Sequence, residues 1–135
     1  MPKVLVTRRV HFSAGHQLLN PEFSEERNRR VFGGCYNRHG HNYDLEVTVE
    51  GEVDPETGYV IDLGDLKRRL HEIVVDDVDH KFLNDEVGWL QGVNPTAENL
   101  VVQIWDRLHG RLDGLRLVNV KLWETPRNIA EYQGG

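Results

Sequence analysis

The chain has 135 residues, of which 39% are hydrophobic and 28% are charged, and its formal net charge is −6. This length predicts one domain over residues 1–135. No apolar run approaches the roughly 20 residues of a membrane helix, and the N-terminal residues lack the apolar block of a signal peptide. We therefore expect a soluble, cytoplasmic protein. The negative charge argues against a nucleic-acid partner.

The N-terminal part of the chain predicts a strand followed by polar loop. Residues 3–12 alternate between apolar and polar side chains, which is typical of a half-buried strand. Small residues at positions 13–15 interrupt the pattern and leave His16 just beyond the predicted strand end. Residues 20–30 are polar and predict mainly loop, in which Ser24 could cap a short helical turn.

The stretch from Cys35 to Tyr43 reads Cys-Tyr-Asn-Arg-His-Gly-His-Asn-Tyr and continues into strand-like sequence. A period of two places His39 and His41 on the same face as the apolar residues that follow, namely Tyr43, Leu45, Val47 and Val49. This second strand is predicted to end near Gly51. Turn-forming residues at 54–58 then predict a hairpin that returns through residues 59–61.

The second half of the chain predicts two helices and two closing strands. Apolar residues recur at helical spacing from Leu63 to about Val75, and Asp62 is a suitable N-cap. Residues 79–84 are predicted to form a compact loop. A second helix is expected to open at residues 94–96 and to close at Gly110, and two strands are expected over residues 115–124 and 128–132. This order predicts an α+β fold in which an antiparallel sheet carries the helices on one face.

The histidines predict a metal site. His39 and His41 at strand spacing can direct two ring nitrogens to one zinc ion, and His16 is the obvious third ligand. Three neutral ligands leave a fourth position open, which is typical of catalytic zinc. Two alternatives stay open: the histidines could simply face solvent at strand ends, or Cys35 could complete a closed, structural site. The glycines that precede Cys35 favour a mobile thiol over a locked ligand.

Two other positions could take part in chemistry. His80 beside Asp79 could act as an oriented general base, although adjacent side chains often point apart. Glu124 ends an otherwise apolar strand face, where an unpaired buried carboxylate would be costly. Glu124 is therefore either exposed at the strand end or positioned for a ligand that donates hydrogen bonds.

A set of motifs follows in order over nearly the whole chain. They are Phe12-Ser13-Ala14-Gly15-His16, Cys35-x-x-x-His39-Gly40-His41-Asn42-Tyr43, Val60-Ile61-Asp62-Leu63-x-x-Leu66-Lys67, Asp79-His80-x-x-Leu83-Asn84, Pro95-Thr96-x-Glu98-Asn99 and Trp123-Glu124-Thr125. With these motifs the chain resembles the 6-pyruvoyltetrahydropterin synthase and 6-carboxytetrahydropterin synthase family. The resemblance implies the tunnelling fold, a four-stranded antiparallel sheet with two helices on one face. It also implies a β-barrel trimer, two of which stack into a homohexamer with shared active sites.

The resemblance further implies a cofactor, Zn²⁺, and a small-molecule substrate, 7,8-dihydroneopterin triphosphate. The residues implied are His16, His39 and His41 for zinc, Cys35, Asp79 and His80 for proton transfer, and Glu124, Thr96 and Glu98 for the pterin ring. Asp79 and His80 are expected to reach the site from a neighbouring subunit.

The resemblance leaves two products to choose between. The three-residue gap between Cys35 and His39 resembles the bacterial 6-carboxytetrahydropterin synthases of queuosine synthesis, whereas residues 23–33 and 128–134 resemble the pyruvoyl enzymes. We favour 6-carboxy-5,6,7,8-tetrahydropterin, formed with loss of triphosphate and acetaldehyde, because the gap lies at the catalytic thiol. The pyruvoyl product is the alternative. A zinc hydrolase or a non-catalytic binder of pterin or metal would belong to other functional classes.

Overall fold

The computed structural model describes residues 2–135, and within them one sheet contains five strands in the order β3-β1-β2-β4-β5. The strands are β1 (Lys3–His16), β2 (His39–Glu52), β3 (Lys81–Phe82), β4 (Arg116–Trp123) and β5 (Ile129–Tyr132). Four of them pair antiparallel, whereas β3 pairs parallel to β1 at Ala14 and Gly15. The predicted four-stranded antiparallel sheet is therefore wrong in its full form, because the sheet is mixed and has five strands.

The helices are α1 (Glu25–Phe32), α2 (Leu63–Leu70), α3 (Asp76–Val78), α4 (Leu83–Glu86) and α5 (Ala97–Leu108). α2 continues through a π-helical turn (His71–Val75) directly into α3, and the Ile73 carbonyl in that turn accepts a hydrogen bond from Arg107 Nη2 of α5 at 3.3 Å. The predicted N-cap is confirmed, because the Asp62 carboxylate accepts from Gly64 N at 2.7 Å. Among residues 2–135, none of the helices combines the length and apolar character needed to cross a membrane.

The core lies between the sheet and the helices. On β2 the alternation predicted from the sequence is confirmed, since Tyr43, Leu45, Val47 and Val49 are fully buried. They pack in one cluster with buried side chains of α2, α5 and β4, among them Leu66, Leu70, Leu100, Ile104, Val120 and Leu122. Each fully buried side chain of this size contributes about 1.5–3 kcal/mol to folding. The buried apolar residues of β2 therefore hold in place the end of the strand that carries His39 and His41.

The hairpin predicted to return through residues 59–61 is wrong. The turn closes on itself, since Gly58 N donates to Asp54 O at 2.7 Å and Asp54 N donates to Tyr59 O at 2.8 Å. β2 lies between β1 and β4, so neither of its edges is free for another strand. Residues 53–62 consequently form no strand and lead into the cap of α2.

Two other local predictions differ from the structure. Residues predicted as mainly loop contain α1, for which Ser24 supplies the cap by accepting from Arg27 N at 3.1 Å. The loop predicted over residues 79–84 contains β3 and the start of α4. In addition, His16 is the last residue of β1 instead of lying beyond it.

Candidate metal centre

The pairing of β1 with β2 brings the three predicted histidines together. The antiparallel register sets His16 opposite His39 and Ala14 opposite His41, so the three imidazoles share the core face of the sheet. One ring nitrogen of each histidine lies within 4.8 Å of the others. His16 is fully buried, and His39 and His41 are partly buried. The structure therefore places a preformed group of three nitrogen donors at one end of the sheet.

Backbone carbonyls determine which nitrogens are available. His16 Nδ1 lies 2.8 Å from Pro95 O, and His39 Nδ1 lies 2.6 Å from Asn37 O. Because a carbonyl oxygen can only accept, both Nδ1 atoms carry the proton, and in the neutral form of the rings both Nε2 atoms present lone pairs. These two Nε2 atoms are 2.9 Å apart. Within residues 2–135, His41 Nε2 is buried and has no hydrogen-bond partner.

This arrangement fits a bound cation. Two lone pairs that face each other at 2.9 Å repel, and a buried nitrogen without a partner costs free energy. A metal ion bound to the three Nε2 atoms would remove both costs. Three imidazole donors suit zinc as well as other divalent transition metals.

Burial keeps these histidines in the form that binds metal. Desolvation lowers the pKa of His16 to about 4, opposed by the hydrogen bond to Pro95 O and reinforced by the charges of the neighbouring histidines. Desolvation also lowers the pKa of His41, opposed by the carboxylate of Glu124. Both rings are therefore neutral near pH 7, and protons compete little with a metal.

A cavity adjoins the histidines. It has a volume of about 460 Å³, and its lining includes Glu124, Thr96, Glu98 and Leu18. Glu124 Oε1 lies 4.0 Å from His41 Nε2, so the carboxylate connects the cavity to the histidine cluster. Glu124 is half-buried and has no arginine or lysine partner within 4.0 Å among the described residues. It is thus available to a ligand that offers hydrogen-bond donors.

Cys35 lies on a separate short element. It belongs to a 3-10 helix (Gly33–Tyr36) that leads towards β2, and it is exposed. The cluster of potential metal ligands contains the three histidines and not Cys35. A closed site with Cys35 as fourth ligand therefore finds no support in this geometry. The Cys35 carbonyl accepts a hydrogen bond from Leu18 N at 2.9 Å, which ties the thiol-bearing turn to the chain just after His16.

Asp79 and His80 form a pair although they are neighbours in sequence. Asp79 Oδ2 lies 3.0 Å from His80 Nδ1, and Asp79 Oδ1 accepts from Ser13 N at 2.9 Å. The N–H of Ser13 is the main reason that the pKa of Asp79 lies below its ordinary value, and His80 adds to the effect. His80 has a φ of 59°, in the left-handed region that is unusual for a residue with a side chain.

The structure does not bring this pair to the cavity of its own chain. The His80 side chain is 82% exposed and lines a different hollow, whose lining also includes Ser13, His41 and Lys81. Neither Asp79 nor His80 lines the cavity that holds Glu124. A larger cavity, of about 670 Å³, is lined by none of the predicted site residues.

The sequence analysis missed the groups that support the histidines. Pro95 O and Asn37 O are backbone atoms, and the sequence carries no signal for them. Asn84 and Asn94 bond to the backbone that follows His16. Asn84 does stand in one of the motifs, but the spacing of the motif gives no indication of its contacts.

Comparisons with known proteins agree on one family. The family model described as 6-pyruvoyl tetrahydropterin synthase matches residues 5–135. The 6-pyruvoyl tetrahydrobiopterin synthase of Homo sapiens is 45% identical over 131 residues, which is 96% of this chain and 90% of that protein. The 6-carboxy-5,6,7,8-tetrahydropterin synthase of Haemophilus influenzae is 32% identical over 121 residues, 75% of this chain and 85% of that protein. The solved structure of Caenorhabditis elegans 6-pyruvoyl tetrahydropterin synthase superimposes with a TM-score of 0.90 at 36% identity, covering 100% of this chain and 98% of the other.

His39→Ala should weaken Zn²⁺ binding by at least about 10-fold, because it removes one donor of the cluster. Calorimetric titration of the metal-stripped protein measures the affinity, with one zinc per chain expected before substitution. His71→Ala is the matched control, since His71 lies on the helical segment near Asp76 and outside the cluster. Equal affinities of the two variants would contradict the assignment of the site.

Proposed function

Since the chain belongs to the 6-pyruvoyl tetrahydropterin synthase family, we propose that it converts 7,8-dihydroneopterin triphosphate to 6-pyruvoyltetrahydropterin with elimination of triphosphate. The resemblance inferred from the sequence motifs is confirmed by the family match. Members of this family are lyases that eliminate triphosphate. The observation that carries the proposal is the group of three histidines beside the half-buried Glu124 and its cavity.

The product proposed here replaces the carboxy product favoured by the sequence analysis. That prediction depended on one local length, the gap between Cys35 and His39. The relative named for the pyruvoyl product shares more identity over more of the chain than the relative named for the carboxy product. Sequence similarity along 131 residues is stronger evidence than the length of the three-residue gap between Cys35 and His39. The pyruvoyl activity is therefore the better supported of the two.

His16, His39 and His41 would hold the metal ion, for which we propose Zn²⁺. The facing lone pairs and the unpartnered His41 nitrogen support this assignment. When bound, the ion would act as a Lewis acid that makes the hydroxyl and adjacent C–H protons of the substrate side chain more acidic. The protein fixes the three rings through Pro95 O, Asn37 O and the register of the two strands.

Glu124 would anchor the pterin ring. Its carboxylate can accept both N–H donors on the guanidine-like edge of the pterin, a charge-assisted pair of hydrogen bonds. Thr96 and Glu98 line the same cavity and would contact the ring. Because Glu124 lies 4.0 Å from His41, a ring held there would bring its side chain close to the histidines.

Cys35, Asp79 and His80 would move the protons. The thiolate of Cys35 would take a proton from the substrate side chain, and His80, oriented by Asp79, would carry protons during the tautomerisations that follow. The bond between Asp79 Oδ2 and His80 Nδ1 supports the orienting role. No redox cofactor is required, because the pterin ring is reduced at the expense of its own side chain.

We propose that the chain forms a homohexamer of two β-barrel trimers with shared active sites. Asp79 and His80 do not line the Glu124 cavity of their own chain, which supports delivery of this pair to a neighbouring subunit. The sheet edges support pairing between copies. Among the described residues, β3 covers β1 only at Ala14 and Gly15, so most of β1 remains an open edge, and β5 forms the opposite edge.

Incubation of zinc-loaded protein with 7,8-dihydroneopterin triphosphate should yield 6-pyruvoyltetrahydropterin and free triphosphate. Mass analysis of the mixture distinguishes the candidates. A carboxypterin with acetaldehyde would overturn the pyruvoyl assignment in favour of the carboxy enzyme. Unchanged substrate that nevertheless binds would indicate a non-catalytic pterin binder.

Cys35→Ala should lower the rate of pterin turnover by at least about 100-fold, because proton transfer by a positioned group contributes this much to a reaction. Pterin binding and zinc content, measured in parallel, should stay unchanged because Cys35 is not one of the clustered metal donors. A zinc hydrolase that uses metal-bound hydroxide would not need the thiol. Near-normal turnover of the variant would therefore exclude the proposed mechanism and favour a hydrolase.

Light scattering of the purified protein at micromolar concentration should give the mass of six chains of 15.6 kDa each. A monomer would remove the basis for a shared site. Mixing Cys35→Ala with His80→Ala protein after dissociation and reassembly should restore part of the activity, because some sites then combine intact groups from two chains. A mixture as inactive as its components would place both groups in one chain.

A further inference from the structure

The segment that follows the histidine ligand at the end of β1 lacks a strand partner. β2 pairs with β1 only as far as His16, and β3 reaches only Gly15. Residues 17–19 therefore leave the sheet with backbone donors and acceptors that other groups must satisfy. Two asparagine side chains from distant parts of the chain provide these partners.

Asn84 takes the place of a neighbouring strand. Its Oδ1 accepts from Gln17 N at 2.9 Å, and its Nδ2 donates to Gln17 O at 2.8 Å. One planar amide thus satisfies both backbone polar groups of the residue after His16. Such a two-point contact fixes the direction of the backbone as well as its position, because a rotation of either group breaks both bonds.

Asn94 holds the next part of the same segment. Its Oδ1 accepts from Leu19 N at 3.1 Å. The backbone carbonyl of Asn94 accepts hydrogen bonds from Thr96 N and from Asn99 Nδ2, both at 2.8 Å. These bonds fix the turn that contains Pro95, whose carbonyl accepts from His16 Nδ1. Asn94 therefore acts on the backbone beyond His16 and on the acceptor that sets the His16 tautomer.

The segment between the two asparagines connects the parts of the proposed active site. Leu18 N donates to the Cys35 carbonyl at 2.9 Å, and Leu18 lines the cavity of Glu124. The side chains on either side of it, Gln17 and Leu19, line the larger cavity instead. A displacement of residues 17–19 would thus move a metal ligand, the turn that bears the thiol and a wall of the substrate cavity together.

We propose that Asn84 and Asn94 are positioning residues for the metal centre, and we call the pair the amide clamp. The amide clamp holds residues 17–19 so that His16 Nε2 meets His39 and His41 in the geometry that one metal ion requires. The inference rests on the metal site of the proposed function and not on which pterin product is formed. Neither asparagine is placed among the groups that contact the metal or the substrate.

The test compares Asn84→Ala with Gln91→Ala. Gln91 is a matched control, because its side-chain amide also donates to nearby backbone carbonyls, those of Asp85 in α4 and of Val87, without contacting residues 17–19. Zn²⁺ affinity is measured by competition with a chromophoric chelator, and the ligand geometry by the visible absorption of Co²⁺-substituted protein. Loss of a group that orients a ligand through another residue typically weakens metal binding about 10–100-fold.

We expect Asn84→Ala to weaken Zn²⁺ binding within that range and to change the Co²⁺ spectrum, while Gln91→Ala leaves both within the error of the unsubstituted protein. Asn94→Ala should act in the same direction. If Asn84→Ala does not fold, Asn84→Asp is measured instead, since it keeps the side-chain volume and the acceptor for Gln17 N but loses the donor to Gln17 O.

Affinity and spectrum equal to those of Gln91→Ala would overturn the proposal and leave the asparagines a purely structural role. Failure of the unsubstituted protein to bind zinc or cobalt would overturn it as well. If Asn84→Ala weakens metal binding but the unsubstituted protein makes no pterin product, the result would support the amide clamp and refute the proposed function. The two failures are thereby distinguishable.

Discussion

The antiparallel register between β1 and β2 is the constraint on which the site depends. It sets His16 opposite His39 and directs both side chains, together with His41, to the core face. A slip of one residue in β2 would send His39 and His41 to the opposite face, away from His16. The same slip would expose four fully buried apolar side chains further along the strand. The free energy of the core therefore holds the register that the candidate metal centre requires.

Much of the site could be predicted because it follows from a strong local pattern. Two histidines in phase with a run of alternating apolar residues leave little freedom in where the rings point. The helix caps at Asp62 and Ser24 were likewise predictable, since each side chain accepts from a backbone N–H at the start of its own helix. These features depend on residues close in sequence, and simple periodicity captures them.

The rest depends on contacts between distant residues. β3 is only two residues long, and it forms because the chain after α3 passes beside the end of β1. No local sequence pattern indicates this contact. The false hairpin at residues 59–61 followed a correct turn signal, but β4 already occupies the edge that such a strand would need. The hydrogen-bond acceptors of His16 and His39 are backbone carbonyls. Every residue has such a carbonyl, so the sequence does not reveal which ones the histidines contact. The carboxy product favoured from the sequence depended on a single gap length, whereas similarity along the whole chain gives more support to the pyruvoyl product.

The π-helical turn between α2 and α3 has a consequence for where the Asp79–His80 pair lies. The buried residues Leu66, Leu70, Val74 and Val78 follow one another at intervals of four, whereas an α-helix turns once every 3.6 residues. In a regular helix each such step would rotate the buried stripe by about 40° and carry Val78 out of the core. The wider turn at His71–Val75 absorbs this drift, so the helix ends with Val78 still facing inward. The next residue, Asp79, then leaves the helix where its carboxylate accepts from Ser13 N. One extra residue in a single turn thus sets where the Asp79–His80 pair lies.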